Sequence, residues 1–482
     1  MENAWTILSQ EAKAPKGVLT DEFVMKYAKE LDWGLLSENY DFSIDMLRTY
    51  FHRVNWYAIL KRTKFDESFL REMAINFNEC CGVVKSEYRS IMPVSELNFN
   101  TPNNYTVFKL DHGDTFYDSG IQFHICGKVI KKSDGAAYAD KTNIKLIDNF
   151  VPFLFTRIEL KKHNTTIDTV DYPGVTSTVK GILNYSSSNK NSLANCGFVS
   201  TFTGGGNFEV IGTLAHLGLG FFDHLRYPMY KGGFEVVFTR AEDNDALFVW
   251  KGSAATDTIP EDGKVEIKSF VLRVPLVEYT ATSKIQLIDG LTRLSDHSKL
   301  VYNYYQWQCI EKKGVFGASF NFDITNVYRN VYNPKFVIVG LQTSRWNDQK
   351  KIPSRFDSCN IKNVAVKING ERYPQEMQNI HITEGKWRLL YEQLVRYRLV
   401  NFGDTNVFVS PSEFKNDYPL LVIDTHLHPM STDRSRSDIQ IELDFVNAIA
   451  TAQADAGTTA YVVVVSETGF SYDISRNIIR QL

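Results

Sequence analysis

Tyr105-Thr-Val-Phe-Lys-Leu110 and, a turn later, Gly120-Ile-Gln-Phe-His-Ile-Cys126 carry apolar side chains at alternate positions. An extended chain points successive side chains to opposite faces, so each segment reads as a half-buried β-strand. Working outward, Ser133-Asp134-Gly135 supplies turn residues, and Phe153-Leu-Phe-Thr-Arg-Ile-Glu-Leu160 is a further strand, broken by His163-Asn164-Thr165. Thr176 to Leu183 has the spacing of a short helix. Polar loops follow at 186–195 and at Thr203-Gly204-Gly205-Gly206-Asn207. Phe234-Glu-Val-Val-Phe-Thr-Arg240 and Val265-Glu-Ile-Lys-Ser-Phe-Val-Leu-Arg-Val274 alternate again. About eight short strands separated by turns favour a sandwich over βαβ units.

Residues 283–482 use the same grammar. Phe336-Val-Ile-Val-Gly-Leu-Gln342 reads as a buried strand, and Ile361 to Ile368 ends in the hairpin signal Asn369-Gly370. Lys386 to Leu399 is a helix with Leu389, Leu390, Leu394 and Val395 on one side. Leu420–Asp424, Asp438–Phe445 and Thr459–Ser466 complete a second β-domain. Locally the halves echo each other: Ile158-Glu-Leu-Lys-Lys-His-Asn164 before Tyr172-Pro173 resembles Val364-Ala-Val-Lys-Ile-Asn-Gly370 before Tyr373-Pro374.

The first 82 residues are different. Leu31-Asp32-Trp33 recurs 23 residues on as Val54-Asn55-Trp56; at the same step Phe42 maps to Phe65, Leu47 to Leu70, Leu19 to Phe42, Val24 to Leu47 and Tyr27 to Tyr50. Such a period indicates short amphipathic helices joined by tight turns. Thr20-Asp21-Glu22 and Asp66-Glu67 place acids near helix starts, where the macrodipole favours them. The organisation read from the chain is a helical repeat module at 1–82, a linker at 83–104, and β-domains at 105–282 and 283–482.

Bulk properties narrow the function. Aromatic residues make up 13% of the chain, which suits β packing. Fifty-three basic against 56 acidic residues leave a net charge of −3 and no overall field to draw in nucleic acid. Cys80, Cys81, Cys126, Cys196, Cys309 and Cys359 show no CxxC spacing and read as free thiols of a reducing compartment. Met1 to Gly17 holds no apolar stretch of signal-peptide length, so a soluble chain made in the cytosol is expected.

Several motifs together resemble the major capsid proteins of Polinton (Maverick) elements and adintoviruses and, more distantly, virophages. They are Asp114-Thr-Phe-Tyr117, Lys128–Gly135, Ile147–Leu160, Tyr172-Pro-Gly174, Ile182-Leu-Asn-Tyr185, Leu214–Phe221 and Phe238–Ala246. In the second half they are Pro334–Arg345, Arg355-Phe-Asp357, Lys367-Ile-Asn-Gly370 and Arg372-Tyr-Pro374. The resemblance covers roughly residues 105–482 and leaves out the helical module. It implies a mainly β fold, a double jelly roll of two eight-stranded antiparallel sandwiches whose strands stand perpendicular to a capsid surface. It further implies a homotrimeric, pseudo-hexagonal capsomer in an icosahedral virion shell, with penton or minor capsid proteins as partners.

No residue set reads as a catalytic, cofactor or metal site. His426-x-His428 invites a cupin metal centre, but Pro429-Met430-Ser431-Thr432 follows and no later His exists, so a loop is the better reading. Gly204 to Gly206 lacks the Lys-Ser/Thr of a phosphate loop. The doublets Lys131-Lys132, Lys161-Lys162, Lys312-Lys313 and Lys350-Lys351 are scattered and read as solvated strand ends, not as a nucleic-acid surface. Trp33 and Trp56 read as core residues of the helical module. The function expected is therefore a structural one, with no enzymatic activity and no cofactor. Broad contacts between subunits are expected, above roughly 2,000 Å² in total. Thr459–Ser466 is expected as an edge strand in need of cover, and the loops 186–207 and 250–263 as an outer tower. Without a basic arm, an inner membrane or core layer would have to meet the genome. The alternative is a domesticated or minor jelly-roll protein that binds a glycan or a partner; a cupin-like metalloenzyme ranks third.

Overall fold

The computed structural model describes residues 21–27, 31, 33, 36–37, 40–50, 54, 59, 83–94, 98–110, 116–117, 120–139, 142–162, 165–224, 233–253, 258–285, 300–324, 334–426, 437–451, 457–473 and 478–481. The chain forms two compact units, one of residues 1–85 with 278–288, the other of 86–277 with 289–482.

In the smaller unit, helices Asp21–Lys26 and Ile44–Thr49 flank an apolar cluster of Val24, Leu31, Trp33, Leu36, Tyr40, Met46, Leu47, Val54 and Ile59. Ser43 caps the second helix by accepting from the Met46 amide at 3.3 Å, which satisfies one of the orphan donors of the first turn. The 23-residue period is visible in this core. Val24 and Leu47 are both buried, as are Leu31 and Val54, and Leu36 and Ile59 are a further pair at that step. The Trp33 ring lies 6.0 Å from Phe42 and 4.9 Å from Tyr50. Trp56, Phe65, Asp66, Glu67, Leu70, Cys80 and Cys81 lie outside the described residues.

The larger unit contains two β-sandwiches. The strands of the first are β1 (Val83–Ile91), β2 (Tyr105–Leu110), β3 (Phe116–Tyr117), β4 (Gln122–Lys131), β5 (Ile144–Leu146), β6 (Phe155–Lys162), β7 (Thr165–Asp171), β8 (Asn207–Thr213), β9 (Phe234–Arg240), β10 (Leu247–Val249) and β11 (Gly263–Tyr279). One sheet runs β1-β11-β4-β8, the other β2-β9-β6-β7. Alternation supplies the core between them: Phe108, Phe155 and Phe238 from one sheet surround Phe270 of the other at 4.8 to 5.8 Å.

In the second sandwich the strands are β12 (Leu300–Val315), β13 (Gly317–Asp323), β14 (Pro334–Thr343), β15 (Ile361–Ile368), β16 (Glu371–Tyr373), β17 (Leu421–Asp424), β18 (Ile439–Ile449), β19 (Thr458–Asp473) and β20 (Ile478–Gln481). Its sheets run β12-β19-β14-β17 and β13-β18-β15-β16. Set aside the short β3, β5, β10 and β20, and count eight strands per sandwich along the chain. Both sandwiches then show the order 1-8-3-6 in one sheet and 2-7-4-5 in the other. That wrapping is the jelly roll, and the chain holds it twice. The Asn369-Gly370 hairpin between β15 and β16 has φ of 51° and 87°, the two positive values of a type I′ turn.

Four expectations need correction. Val83–Ile91, inside the stretch read as a linker, is β1 and pairs with β11; Val84 to Ser90 are exposed, so the strand shows charge instead of an apolar face. Thr459–Ser466 is no edge, because β19 lies between β12 and β14 and Ala460 to Val465 are buried on both faces. The polar stretch 186–195 holds a 3-10 turn, Ser187–Asn189, and a short helix, Lys190–Leu193. The helix Arg388–Phe402 buries Leu390, Leu394, Tyr397 and Arg398, while Leu389 faces out.

Candidate functional site at the junction of the two sandwiches

The sheet β12-β19-β14-β17 has one face toward its own sandwich; on the other, β12 meets β7 and the helices Pro173–Asn184 and Phe221–His224 of the first sandwich. Pro173 to Leu183 are all buried, as expected of a helix covered on every side. Tyr172, just before it, sits at φ 49°, a left-handed conformation costly for a large side chain. Its hydroxyl donates to Oε2 of Glu311 at 3.1 Å, and the Tyr461 hydroxyl donates to Oε1 at 3.1 Å. Burial, followed by the charge of Glu311, pushes both phenols well above their ordinary range.

Aromatic packing extends this seam. The buried Tyr304 of β12 donates its hydroxyl to the carbonyl of Ile167, and Phe221 packs 5.6 Å from Tyr304 and 5.8 Å from Phe470. Beside it, a Cβ on Gly220 would lie 1.7 Å from the Tyr305 carbonyl oxygen, so the approach of β12 requires glycine. Lys162 is not a solvated strand end: it is 1% exposed, with Nζ 4.4 Å from the Phe234 ring and 4.1 Å from that of Tyr472.

Long connections of the second sandwich grip the first. Gln349, buried, receives the Gly263 amide at 2.9 Å and donates to the Gly263 carbonyl at 2.7 Å, while its own carbonyl accepts from Val249. The Asn347 amide donates to Oδ1 of Asp245 at 2.8 Å; burial raises that carboxyl to about 7, with Glu242 adding to the rise. Arg398 donates to the Asn184 carbonyl at 2.7 Å and pairs through both Nε and a terminal nitrogen with Asp404. Lys190 lies 3.3 Å from Glu413.

Several other buried titratable groups are held by structural partners. Lys180 donates to the Ala215 carbonyl at 2.8 Å and pairs with Asp223 at 2.5 Å. His216, held neutral by burial at about 3, shares a 2.8 Å hydrogen bond between Nδ1 and the Tyr185 hydroxyl. Burial raises the Cys196 thiol to about 11 and pushes Cys309 higher, which suppresses the thiolate a nucleophile needs. Two modest cavities flank the seam. One of about 240 Å³ is lined by Phe336, Tyr373, Arg396, Tyr397 and Asp424, and one of about 130 Å³ by Asn149, Lys190, Phe198, Ser354 and Phe408.

The motifs singled out from sequence do not converge here. His426 is exposed at the end of β17, 6.1 Å from the Phe336 ring, and His428 lies outside the described residues. In the glycine run, Gly205 lies against Tyr138, where a Cβ would sit 2.5 Å from that side chain. Lys131 pairs with Glu261 at 3.3 Å and Lys132 donates to Asn244 at 3.0 Å. Sequence reading missed Glu311 and Gln349; Tyr172, Phe221, Asp245 and Tyr461 fell within stretches it quoted, but none was singled out as a junction residue. Among the described residues, no helix is long and apolar enough to cross a membrane.

The family model described as "Double jelly roll-like domain" matches residues 144–468. No curated protein matches the chain. Among solved structures, PBCV-1 VP54 fitted into a reconstruction of the virophage Sputnik aligns at 10% identity and TM-score 0.48, over 82% of this chain and 96% of that one. The mavirus major capsid protein aligns at 12% identity and TM-score 0.47, covering 82% and 90%. The Faustovirus major capsid protein aligns at 10% identity and TM-score 0.47, covering 96% and 98%.

Proposed function

The chain belongs to the double jelly roll-like domain family, and from that premise we propose that it is the major capsid protein of an icosahedral shell of the Polinton or adintovirus kind. One observation carries the reading: two sandwiches with identical strand order are locked into a single compact unit by buried contacts. A chain built this way offers two similar lobes at a fixed spacing. Three copies around a threefold axis then present six lobes, so the trimer packs into positions of local sixfold symmetry. Enzyme chemistry has no part in this reading. The divisions that go with it are a helical module at 1–82 and lobes meeting near residue 282, with β1 added to the first lobe.

The protein folds in the host cytosol and assembles by self-association into trimers and then a lattice, with penton or minor capsid proteins at special positions. A membrane or core layer, rather than this chain, meets the genome, in keeping with the net charge of −3. Light scattering on the purified chain, with negative-stain imaging of the same peak, tests the assembly. Three copies of 55.1 kDa give about 165 kDa and a hexagonal outline. A clean monomer that never assembles would sink the proposal and favour the glycan- or partner-binding module.

A further inference from the structure

On the outer face of the first sandwich, strands β4 and β8 bring together a side-chain set unrelated to the junction. Phe123 and Ile125 of β4 are fully buried, so by alternation His124 and Cys126 share the opposite face. On β8, the edge strand of that sheet, Glu209 stands directly across from Cys126. His124 Nε2 lies 2.7 Å from Glu209 Oε1 and 3.4 Å from Cys126 Sγ, and the three ligand atoms all lie within 4.8 Å of one another. We propose that His124, Cys126 and Glu209 form a zinc-type metal site that ties the edge strand β8 to β4.

The donor set argues for the metal class. A thiolate with an imidazole and one carboxylate suits borderline-soft Zn²⁺; Mg²⁺ and Ca²⁺ take oxygen ligands instead. Zinc–ligand bonds of about 2.0–2.3 Å place tetrahedral ligands roughly 3.3–3.6 Å apart. The sulfur–imidazole separation already has that value. The carboxylate must withdraw by roughly half an ångström from its hydrogen-bonded position, and it can, because its side chain is 65% exposed. A His–Glu ion pair accounts for two of the three groups, but it gives no role to the thiol turned onto the same nitrogen. Three protein ligands leave a fourth position open on the exposed face, for water or for a ligand from a neighbouring molecule.

The test uses the full chain, stripped of metal, titrated with Zn²⁺ by calorimetry and with Co²⁺ by absorption, beside His124→Ala, Cys126→Ser and Glu209→Gln. All three substitutions are on the sheet's outer face, and circular dichroism melting confirms that each variant folds. The expected result is one Zn²⁺ per chain, a thiolate-to-cobalt absorption band that Cys126→Ser abolishes, and affinity reduced about tenfold or more in each variant. Mg²⁺ and Ca²⁺ give no heat. Substoichiometric binding by the wild type overturns the proposal, as does wild-type affinity in any one variant.

Discussion

Tyr172 and Tyr461 come from different sandwiches and divide one carboxylate between them. Their rings lie 6.1 Å apart at 67°, and each hydroxyl donates to a different oxygen of Glu311, whose side chain is 13% exposed. Glu311→Ala would leave two largely buried hydroxyls without their acceptor, at a cost of about 2–4 kcal/mol. Tyr172→Phe and Tyr461→Phe each remove one donor along with its need, at about 1 kcal/mol. The two single losses should not add, since both act on one carboxylate. Denaturant melts of the three variants and the double tyrosine variant measure this, and a Glu311→Ala midpoint equal to wild type would remove the clamp from the account.

A second expectation concerns Gly220. Its missing Cβ leaves room for the Tyr305 carbonyl, a backbone atom that cannot rotate aside. Gly220→Ala should therefore part the two sandwiches locally and cost about 3 kcal/mol or more, or prevent assembly of a stable unit. Gly206→Ala is the control, for nothing lies within 4 Å of the place its Cβ would take, and its melting temperature should stay at the wild-type value. Equal behaviour of the two variants would show that the close approach has no energetic weight.

Much of the fold was legible in the sequence where a strand has one wet face. Tyr105–Leu110 alternates and is β2 to the residue, and the alternation of Gly120–Cys126 continues in β4. Legibility fails where tertiary contacts replace water. β12 was passed over although Gln306-Trp307-Gln308-Cys309 alternates, and its pattern would have put both glutamines in water, whereas the fold buries them with Trp307 and Cys309. Lys162 sits next to another lysine and looks solvated, yet Tyr472 of β19 closes over it. β1 fails in the opposite way, as an edge strand whose side chains are nearly all in water. The seam itself was out of reach, since Glu311 and Gln349 acquire their partners only once the two sandwiches meet.

The last expectation is a pH dependence set by Asp245. Burial raises this carboxyl from 3.8 to about 7, against the opposing hydrogen bond from the Asn347 amide. Between about pH 4 and 7 the folded chain therefore holds a proton that the unfolded chain has released, and stability from this group falls as pH rises through that window. Asp168, raised by burial to about 6, acts in the same direction; His216, lowered to about 3, acts in the opposite one. Both are present in wild type and variant alike, so the difference between the two isolates Asp245. Asp245→Asn keeps an oxygen for the Asn347 amide and cannot ionise. Its melting temperature relative to wild type should be near zero or slightly negative at pH 4. The difference should climb through pH 5 to 7 and level off above that, at a gain on the order of 4 kcal/mol. A flat difference across that range would mean that water or a structural adjustment already solvates the carboxylate. The Asn347 contact would then be an ordinary surface hydrogen bond rather than part of a buried seam.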